Sequence, residues 1–465
     1  MNGAGGNSTR LMFDDDDDYN NSTPLTSIMF ALCTLTVVLL LFKHIYERWV
    51  TPLSQVPGSY LYSISSIPMR YHMLRGTLPQ FLLTQHRKYG AIVRIAPQRV
   101  SIADIDLLRH VLGSHVYAKT PSYDMPSVLE ANTFSTRSAE LSTERRRQMG
   151  PGFSHKHLGE MEMLIKECAV DGLVGILDEQ INQEGVAKMQ YNKVFSLIAL
   201  DVIGLLGFGK RFEALKTGNH ELVSMLVRIR QFNYVTMAFP WFKKLPTLGG
   251  RRLLGTLYRL MDFASEAIAK RRAGDKPMVV DLLQMMMEVG RDKNDRRATM
   301  TDKQMVSETI LHLIAGVDTT SAGLTWTLAL LLHHPKIMAQ LVSEIRTEFP
   351  NIDTHVSYED CRRKLPYLTA VINESLRIMS PTPGMLPRLA PVGGVRLGGY
   401  FLPQGTWICC SIGAVHMNPK DFVAPAVFDP ERFVGDNHKH NLLAFSTGVR
   451  ACLGRNLALV EMHVV

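Results

Sequence analysis

The chain has 465 residues, of which 46% are hydrophobic and 20% are charged, so it is long enough for a large core and wholesale disorder is excluded. Six cysteines without a CxxC pair exclude a disulfide scaffold and make a structural zinc site unexpected. The excess of 51 Lys and Arg over 43 Asp and Glu is mild and spread along the chain, which favours an acidic protein partner or an anionic membrane surface over a nucleic acid.

The first predicted element is a transmembrane anchor over residues 25–42, an apolar stretch of 18 residues without a charge. That length is near the minimum for a helix that spans a bilayer. The acidic residues Asp14–Asp18 precede the stretch, whereas Lys43 and Arg48 follow it. Because basic residues favour the cytosolic side, the pattern predicts an uncleaved single-pass anchor rather than a signal peptide. A buried core helix is the alternative interpretation.

The tail before the anchor, residues 1–24, is predicted to be lumenal. It contains glycosylation sequons at Asn7, Asn20 and Asn21. A tail in the lumen and a main body in the cytosol predict a protein of the endoplasmic reticulum membrane.

The remainder is predicted to be a short linker over residues 43–60 and one catalytic domain over residues 61–465, because no second linker interrupts it. Residues 91–104 and 395–412 are rich in β-branched side chains and are predicted to contain short strands. Between them, residues 155–345 carry apolar side chains at a spacing of three and four, which predicts helices. The sequence therefore indicates a mainly helical body with small sheets.

One helix is predicted to be central and buried. Thr301 and Gln304 form a capping-box pattern, and residues 311–332 are apolar on nearly every face. Asp318 and Thr319 lie in the middle of this run, where a carboxylate and a hydroxyl are costly unless they are used or satisfied. A threonine that donates to the carbonyl four residues earlier can bend a helix. A satisfied kink and a functional site are therefore both open interpretations.

A second unusual segment surrounds a single cysteine near the C-terminal end. Cys452 directly precedes a predicted helix start, where free N–H groups and the helix dipole stabilise a thiolate. Arg450 adds positive charge, Gly448 allows a tight turn, and Gly454 allows a flat ligand to come close. Together with the aromatic Phe445, the pattern predicts a functional thiolate rather than an inert core cysteine.

The segment Phe445–Gly454 resembles the haem-binding loop of the cytochrome P450 superfamily, F-x-x-G-x-R-x-C-x-G, at every fixed position. Three further motifs occur in the family's order. Ala315–Thr320 resembles A-G-x-D-T-T, Glu374–Arg377 resembles E-x-x-R, and Phe428–Phe433 resembles the P-E-R-F segment. The resemblance begins near residue 50 and extends to the end of the chain. Within the family, the sequence is similar to fungal membrane-bound members that build secondary metabolites. It implies the cytochrome P450 fold, mainly α with small β-sheets (α+β), preceded by one N-terminal transmembrane helix.

The resemblance also implies a cofactor and its metal ligand. The cofactor is expected to be haem b, and Cys452 is expected to be the axial thiolate ligand of its iron. Phe445, Gly448 and Gly454 are expected to shape the haem-binding loop. A thiolate ligand pushes electron density toward the iron and favours cleavage of the O–O bond.

Three arginines are predicted partners of the haem propionates, because a guanidinium matches a planar carboxylate. Arg450 is the first of them, and Arg388 and Arg146 are the other two. For Arg146 the sequence departs from the family, which often has Trp or His four residues earlier, where this chain has Ser142. Either arginine neighbour of Arg146 could therefore take its place.

Two further sets of residues receive roles from the resemblance. Thr319 and Asp318 are expected to be catalytic on the distal side of the haem, because O2 activation needs protons that a hydroxyl and a solvent-linked carboxylate can deliver.

Glu374 and Arg377 are three residues apart and share a helix face. With Arg432 they are expected to form a buried charged network that supports the cysteine loop.

The implied function is a membrane-anchored monooxygenase that hydroxylates or epoxidises an apolar small molecule, such as a terpenoid or a polyketide. NADPH-derived electrons would come from a separate reductase, with cytochrome b5 as an additional donor, because no flavin or nicotinamide fingerprint is present. One alternative is a haem-thiolate isomerase or dehydratase that does not use O2. The other is an inactive fragment, because the chain stops at Val465 while family members continue, so the C-terminal end is expected to be truncated.

Overall fold

The computed structural model of the chain describes residues 23–124, 129–218, 221–239, 248–275, 277, 279–291, 295, 297–435 and 438–465. The predicted glycosylation sites Asn7, Asn20 and Asn21 lie outside these described residues. The acidic run before the predicted anchor lies outside them as well.

Helices dominate the described residues, and two small sheets accompany them, which confirms the predicted fold class. The helices in chain order are α1 Thr23–Ile45, α2 Tyr60–Ile64, α3 Ile67–Leu74, α4 Leu78–Tyr89, α5 Ile105–Leu112, α6 Ala139–Met149, α7 His155–Lys166, α8 Gly172–Gln180, α9 Tyr191–Phe208, α10 Ala214–Thr217, α11 Glu221–Ala238, α12 Leu248–Arg272, α13 Leu282–Glu288, α14 Asp302–His333, α15 Pro335–Glu348, α16 Tyr358–Lys364, α17 Pro366–Ile378, α18 Ile412–His416 and α19 Arg455–Val464. The strands are β1 Ile92–Ala96, β2 Arg99–Ile102, β3 Met385–Leu389, β4 Val395–Leu397, β5 Tyr400–Leu402 and β6 Trp407–Ser411.

The larger sheet pairs strands from the N-terminal part of the domain with strands from its C-terminal part. Its strand order is β1–β2–β6–β3, with β2 and β6 parallel and the other neighbours antiparallel. The smaller sheet is the antiparallel pair β4–β5. All five residues of β1 are buried, as its β-branched sequence favours. Beside β3, an isolated antiparallel bridge pairs Lys119 with Arg388 and so brings two cationic residues together.

The central helix α14 is the predicted one, and it starts at the predicted capping box. The hydroxyl of Thr301 accepts from the backbone N–H of Gln304 (3.3 Å), and the Gln304 side chain accepts from the N–H of Thr301 (3.0 Å). In the middle of the helix Ala315 is exposed, although Leu313 and Val317 on either side are buried. An exposed alanine within a core helix faces an open space, so α14 borders such a space at this point.

Two regions of the core surround this helix. The larger cluster is helical and joins α9 and α14 to α7, α11, α12, α13 and α19. A second cluster packs β2, β6 and α5 against the smaller sheet. The loop that carries Cys452 lies between α5, which it contacts, and α19, which follows it. The fold thus holds the cysteine loop at the boundary of the helical and sheet regions.

The predicted anchor lies within α1. The side chains of α1 that are described between Thr26 and Phe42 are exposed, and this apolar stretch is shorter than a full candidate span. Among the described residues α9 alone is long and apolar enough to cross a membrane, but 72% of it is buried inside the fold. Burial identifies α9 as a core helix, and the exposed apolar helix surface belongs to α1.

The segment predicted as a linker, residues 43–60, is helical in part. It contains a π turn at Tyr46–Val50 and a 3-10 turn at Pro52–Gln55. Leu53 and Val56 are buried against the sheet side of the core. The second half of this segment therefore packs on the domain.

Candidate functional site

The loop before α19 is shaped by backbone hydrogen bonds around a left-handed glycine. The N–H of Cys452 donates to the carbonyl of Phe445 (2.9 Å). Gly448 has a φ of +72°, a conformation that favours glycine. α19 begins at Arg455, three residues beyond the cysteine, as the sequence predicted. The loop is therefore closed on itself, and its cysteine lies at the start of a helix.

Cys452 is accessible, yet protein atoms crowd its sulfur. The side chain is exposed, whereas burial raises the pKa of the thiol. A hydrogen bond from the N–H of Gly454 and the charges of Arg146 and Arg455 oppose that rise in pKa. Arg450, which was expected to add charge here, is not among these contributors. A sulfur that is both accessible and desolvated lies in a concave surface, which suits a ligand that approaches from one side.

Thr319 and Asp318 point in different directions from α14. The Thr319 hydroxyl donates to the carbonyl of Ala315 (2.7 Å), the bond that the sequence predicted. Asp318 accepts from Arg230 of α11 (3.0 Å between Nη1 and Oδ1). Burial raises the pKa of the Asp318 carboxyl, and Arg230 opposes the rise. The carboxylate is therefore held by a cation that the sequence analysis did not identify.

A cavity of about 250 Å³ lies between α9, α11 and α14. Its polar lining residues are Asn192, Ser196, Arg230, Asp318, Ser321 and Thr325. The other lining residues are apolar or aromatic, and a cavity of this size has room for several water molecules beside the polar side chains. Asp318 can therefore exchange protons with water on this side of α14.

Lys119 and Arg388 form the buried centre of a cation cluster. Both side chains are buried, and the bridge between their backbones keeps them together. The Lys119 ammonium donates to the carbonyl of Phe134 and lies over the rings of Tyr123 (4.7 Å) and Phe134 (4.8 Å). Arg388 donates to the Tyr123 hydroxyl (3.2 Å). Aromatic rings and neutral acceptors thus surround both charges.

Arg450 and Arg146 complete the cluster from the loop and from α6. Arg450 donates to the carbonyls of Thr136 (2.9 Å) and Ser138 (3.1 Å). Arg146 donates to the carbonyl of Ala451 (2.7 Å), beside the cysteine. Arg146 therefore holds the cysteine loop directly, whereas Arg450 ties that loop to the segment before α6.

The two neighbours of Arg146 have other partners. Arg145 is buried and faces Glu308 of α14 (3.7 Å). Arg147 lies on the surface beside Glu144. Arg145 and Arg147 thus have partners outside the cysteine loop, whereas Arg146 donates to that loop.

Burial and the neighbouring positive charges both act on the lysine of the cluster. Burial and the charges of Arg388, Arg450 and Arg146 lower the pKa of Lys119 to about 6. In the part of the chain that the structure describes, none of these four cations forms an ion pair with a carboxylate. The cluster therefore carries an excess of positive charge that suits an anionic ligand.

The predicted charged network is present, and its central pair, Glu374 and Arg377, is fully buried. Arg377 holds both carboxylate oxygens of Glu374 (2.6 and 2.7 Å), and both side chains have no exposed surface. Arg432 donates to the same carboxylate (3.0 Å), and so does the backbone N–H of Asp429. The remaining donors of Arg377 reach backbone carbonyls, one of which belongs to His416 (2.8 Å). Every charge in the network thus has a partner.

His416 connects this network to the cysteine loop. Its carbonyl accepts from Arg377, and its Nε2 accepts from the N–H of Leu443 (2.9 Å). Burial lowers the pKa of the imidazole to about 3, so His416 is neutral and can act as an acceptor. The carbonyl of Leu443 in turn accepts from the N–H of Ser446, inside the loop (2.8 Å). A chain of hydrogen bonds through His416 thus links the network to the loop.

The cytochrome P450 family model matches residues 59–465. The chain belongs to the cytochrome P450 family. Among its relatives, the cytochrome P450 monooxygenase helB1 of Aspergillus fumigatus is 30% identical over 452 residues, which cover 94% of this chain and 77% of the relative. The cytochrome P450 monooxygenase helB3 of the same fungus is 30% identical over 451 residues, covering 95% and 87%. The chain is an oxidoreductase of the P450 monooxygenase class.

A solved structure supports the fold independently. The crystal structure of the cytochrome P450DA heme domain superposes with a TM-score of 0.74 over 88% of this chain and 89% of that chain, at 23% identity. The P450 fold that the motifs implied is therefore confirmed.

Haem b is the cofactor of this family, and the residues of the site fit it. The propionates of a bound haem would supply the carboxylates that the cation cluster lacks among the described residues. The accessible sulfur of Cys452 lies in the same loop as one member of that cluster, as an axial thiolate ligand requires. Charge and geometry thus agree with one bound haem.

Haem binding is expected to depend on pH through Lys119. The pKa of this lysine is about 6 without an anion beside it, and nearby propionates would raise it, so haem binding would take up a proton. We expect Lys119 to contribute a gain in haem affinity as the pH falls from 9 toward 6, and this contribution should level off below 6. Lys119→Met should flatten this part of the profile in a spectrophotometric haem titration. Equal slopes for the wild type and Lys119→Met would contradict the expectation.

Several residues of the site carry no local sequence signal. Lys119 and Tyr123 belong to no motif, and a bridge to a segment more than 260 residues away brings them to Arg388. Arg230 pairs with Asp318 across 88 residues. An alignment of the segment around Lys119 with family members could have signalled the lysine, whereas the pairing of Arg230 needed the fold.

Proposed function

We propose that the protein is a haem-thiolate monooxygenase that inserts one atom of O2 into an apolar small molecule by hydroxylation or epoxidation. The observation that carries the proposal is the accessible Cys452 in a loop that also holds Arg450, a member of a cation cluster without carboxylates. Family membership and the names of the relatives agree with it.

On the proximal side, Cys452 would be the axial ligand of the haem iron. Arg388, Arg450 and Lys119 would hold the propionates, because their charges have no other carboxylate partner in the described residues. Arg146 would fix the loop through the carbonyl of Ala451 rather than through haem alone. Phe445, Gly448 and Gly454 would set the shape of the loop. Bound haem supplies the reduction of O2 and the transfer of oxygen to the substrate.

On the distal side, the residues of α14 would deliver protons. The Thr319 hydroxyl, held by the carbonyl of Ala315, would position a water molecule. Asp318 would carry protons from the cavity between α9, α11 and α14. Arg230 holds this carboxylate in the structure, so the side chain of Asp318 would have to leave Arg230 to complete the transfer. Arg230 would therefore be a positioning residue for proton delivery.

Thr319→Val tests the oxygen-using function most selectively. The substitution keeps the shape of the side chain and removes the hydroxyl, so NADPH oxidation should continue while product formed per NADPH falls about tenfold or more. Thr327→Val is a matched control on the same helix, because the buried hydroxyl of Thr327 has no hydrogen-bond partner. The measurement is the ratio of product to NADPH consumed with a reductase present. Equal ratios for the two variants would contradict the assigned role.

The second candidate function is a haem-thiolate isomerase or dehydratase. The hydroxyl of Thr319 and the cavity beside Asp318 favour the monooxygenase, because reduction of O2 has a net uptake of protons, whereas isomerisation and dehydration have none. Turnover that persists without NADPH and O2 would identify the isomerase or dehydratase. A purified chain that takes up no haem would indicate an inactive fragment.

Family membership supports an assignment of the electron donor and of the substrate class. An NADPH-dependent reductase, with cytochrome b5 as an additional donor, would supply electrons, because the chain carries no fingerprint for a flavin or a nicotinamide. The likeness to fungal monooxygenases supports an apolar substrate of secondary metabolism, such as a terpenoid or a polyketide. Coexpression with a fungal reductase and comparison of extracted metabolites would test both assignments.

Residues 25–42 would anchor the protein in the endoplasmic reticulum membrane, with residues 1–24 in the lumen and the body from residue 61 onward in the cytosol. The support is the exposed apolar surface of α1, which is continued by exposed apolar side chains in the segments that follow it. These side chains are Trp49, Val50, Tyr60, Leu61, Ile67, Tyr71 and Leu74. Aromatic side chains at such a surface favour the interface between lipid and water.

Alkaline carbonate extraction of microsomes tests the anchor. The full chain should stay in the membrane fraction, and a chain that begins at residue 46 should be released. Digestion with an endoglycosidase tests the lumenal tail, because use of Asn7, Asn20 or Asn21 requires that the tail enters the lumen. Release of the full chain by carbonate would contradict the anchor.

A further inference from the structure

A buried carboxylate near the start of α14, that of Glu308, holds the segment 130–138 between α5 and α6. We call this the clasped segment, and the contacts of Glu308 with it the clasp. Glu308 has no exposed surface, and its Oε1 accepts from the N–H (2.8 Å) and from the hydroxyl (3.0 Å) of Thr133. The nearest cation is Arg145 of α6, whose Nε lies 3.7 Å from the same oxygen. The other oxygen of Glu308 has no hydrogen-bond partner. A buried carboxylate is costly, so these contacts need an explanation beyond filling space.

The residue before Glu308 holds the same segment. The hydroxyl of Ser307 donates to the carbonyl of Glu130 (2.7 Å), and the amide of Asn132 donates to the carbonyl of Ser307 (3.3 Å). The side-chain oxygen of Asn132 also accepts from the N–H of Ser135 (2.8 Å). Two consecutive residues of α14, Ser307 and Glu308, therefore hold one turn, and Thr133 makes two of the hydrogen bonds between that turn and the helix.

The clasped segment supplies the acceptors of two cations of the haem site. Immediately after Thr133, the carbonyl of Phe134 accepts from Lys119. A few residues later, the carbonyls of Thr136 and Ser138 accept from Arg450. A shift of the segment would move both cations, because each is oriented by these carbonyls. A continuous set of contacts thus leads from Glu308 to the cation cluster.

We propose that Glu308 is a positioning residue of the haem site, whose carboxylate fixes the segment that orients Lys119 and Arg450. The inference rests on the proposed function, because it takes those two cations as partners of the propionates. It adds a residue that belongs to none of the family motifs in the sequence.

The charge state of Glu308 gives the inference a pH signature. Burial raises the pKa of this carboxyl to about 7, and the two donors of Thr133 and the charge of Arg145 oppose the rise. Arg145 and Thr133 are the groups that act on Glu308, from α6 and from the clasped segment respectively. Hydrogen bonds to a carboxylate are stronger than those to a neutral carboxylic acid. The clasp is therefore strongest above pH 7 and weakens as the pH falls through 7.

The test is the rate at which the holoenzyme loses haem to excess apomyoglobin. Thr133→Val removes one donor of the clasp and keeps the side-chain shape, so haem loss at pH 8 should be about tenfold faster than in the wild type. Thr309→Val is the matched control, because the neighbouring Thr309 has a buried hydroxyl without a hydrogen-bond partner. Its haem loss should stay within twofold of the wild-type rate, roughly as expected for removal of an unpartnered group.

Glu308→Gln tests whether the effect depends on the charge of Glu308. If Glu308 were merely structural, the ratio of variant to wild-type haem loss would not change with pH. The neutral amide resembles the protonated carboxyl, so haem loss should be about fivefold faster than in the wild type at pH 8 and nearly equal to it at pH 6. A constant ratio between pH 6 and pH 8, or equal rates for Thr133→Val and Thr309→Val, would overturn the inference alone. A wild type that takes up no haem would overturn the proposed function as well.

Discussion

Arg377→Ala is expected to abolish the folded, haem-containing protein. The substitution removes the bidentate partner of Glu374 in a site with no exposed surface, and it leaves Arg432, which donates to one carboxylate oxygen, as the remaining cation beside it. Breaking a buried ion pair from one side costs about 3–5 kcal/mol, which is a large part of the stability of a typical domain. Because Arg377 also holds the carbonyl of His416, the support of the cysteine loop is lost at the same time. The measurement is the ratio of bound haem to soluble protein after expression.

An ion pair on the surface provides the control for the buried network, because its loss shows the effect of removing an exposed arginine. Arg362 lies 3.6 Å from Glu359, and both side chains are largely exposed, so Arg362→Ala should change the free energy of unfolding by less than about 1 kcal/mol. Arg377→Lys keeps the charge but loses the fork geometry, and it should retain part of the haem content. Full haem content in Arg377→Ala would contradict the role given to the network.

Gly448→Ala is expected to disrupt the cysteine loop in the absence of haem. A Cβ at this position would lie 2.5 Å from the Cα of Gly113 and would collide with the carbonyl of Leu112. The φ of +72° adds about 1–2 kcal/mol of backbone strain for alanine. Because both obstacles are backbone atoms of α5 and its end, the loop has to move, and Cys452 moves with it.

Gly454→Ala is the matched control for the loop. Its φ is −81°, and the nearest atom to an added Cβ is a ring carbon of Phe153 at 4.0 Å, an ordinary contact. The unfolding midpoint of the apoprotein should therefore fall clearly in Gly448→Ala and stay near the wild-type value in Gly454→Ala. Equal midpoints for the two variants would show that the left-handed turn is not required.

The parts of the site that the sequence predicted are those with local signals. α14 was predictable because its capping residues Thr301 and Gln304 are three apart and its apolar run needs no partner to be recognised. The pairing of Glu374 with Arg377 follows from helical spacing in the same way. The cysteine loop was predictable from its glycines and arginine. In each case the interacting residues lie within one or two turns of each other.

The parts that the sequence did not predict depend on contacts between distant segments. Lys119 meets Arg388 through a backbone bridge, and the hydrophobic pattern of either segment does not specify that register. In the sequence, Glu308 is one polar residue on a predicted helix, and nothing near it indicates a role. Its contact with Thr133 exists only in the folded chain. The sequence identified Asp318 but not the direction of its side chain, because its partner Arg230 lies on a separate helix. Long-range pairing of polar groups is decided by packing, which a single sequence does not reveal.

The central claim is that the sulfur of Cys452 binds the haem iron as a thiolate. The most direct measurement is the absorption spectrum of the reduced, carbon monoxide-bound protein, compared between the wild type and Cys452→Ser. The account predicts the red-shifted Soret band of a thiolate-ligated haem in the wild type and its loss in the variant. A wild type without that band, or a Cys452→Ser variant that keeps it, would contradict the account.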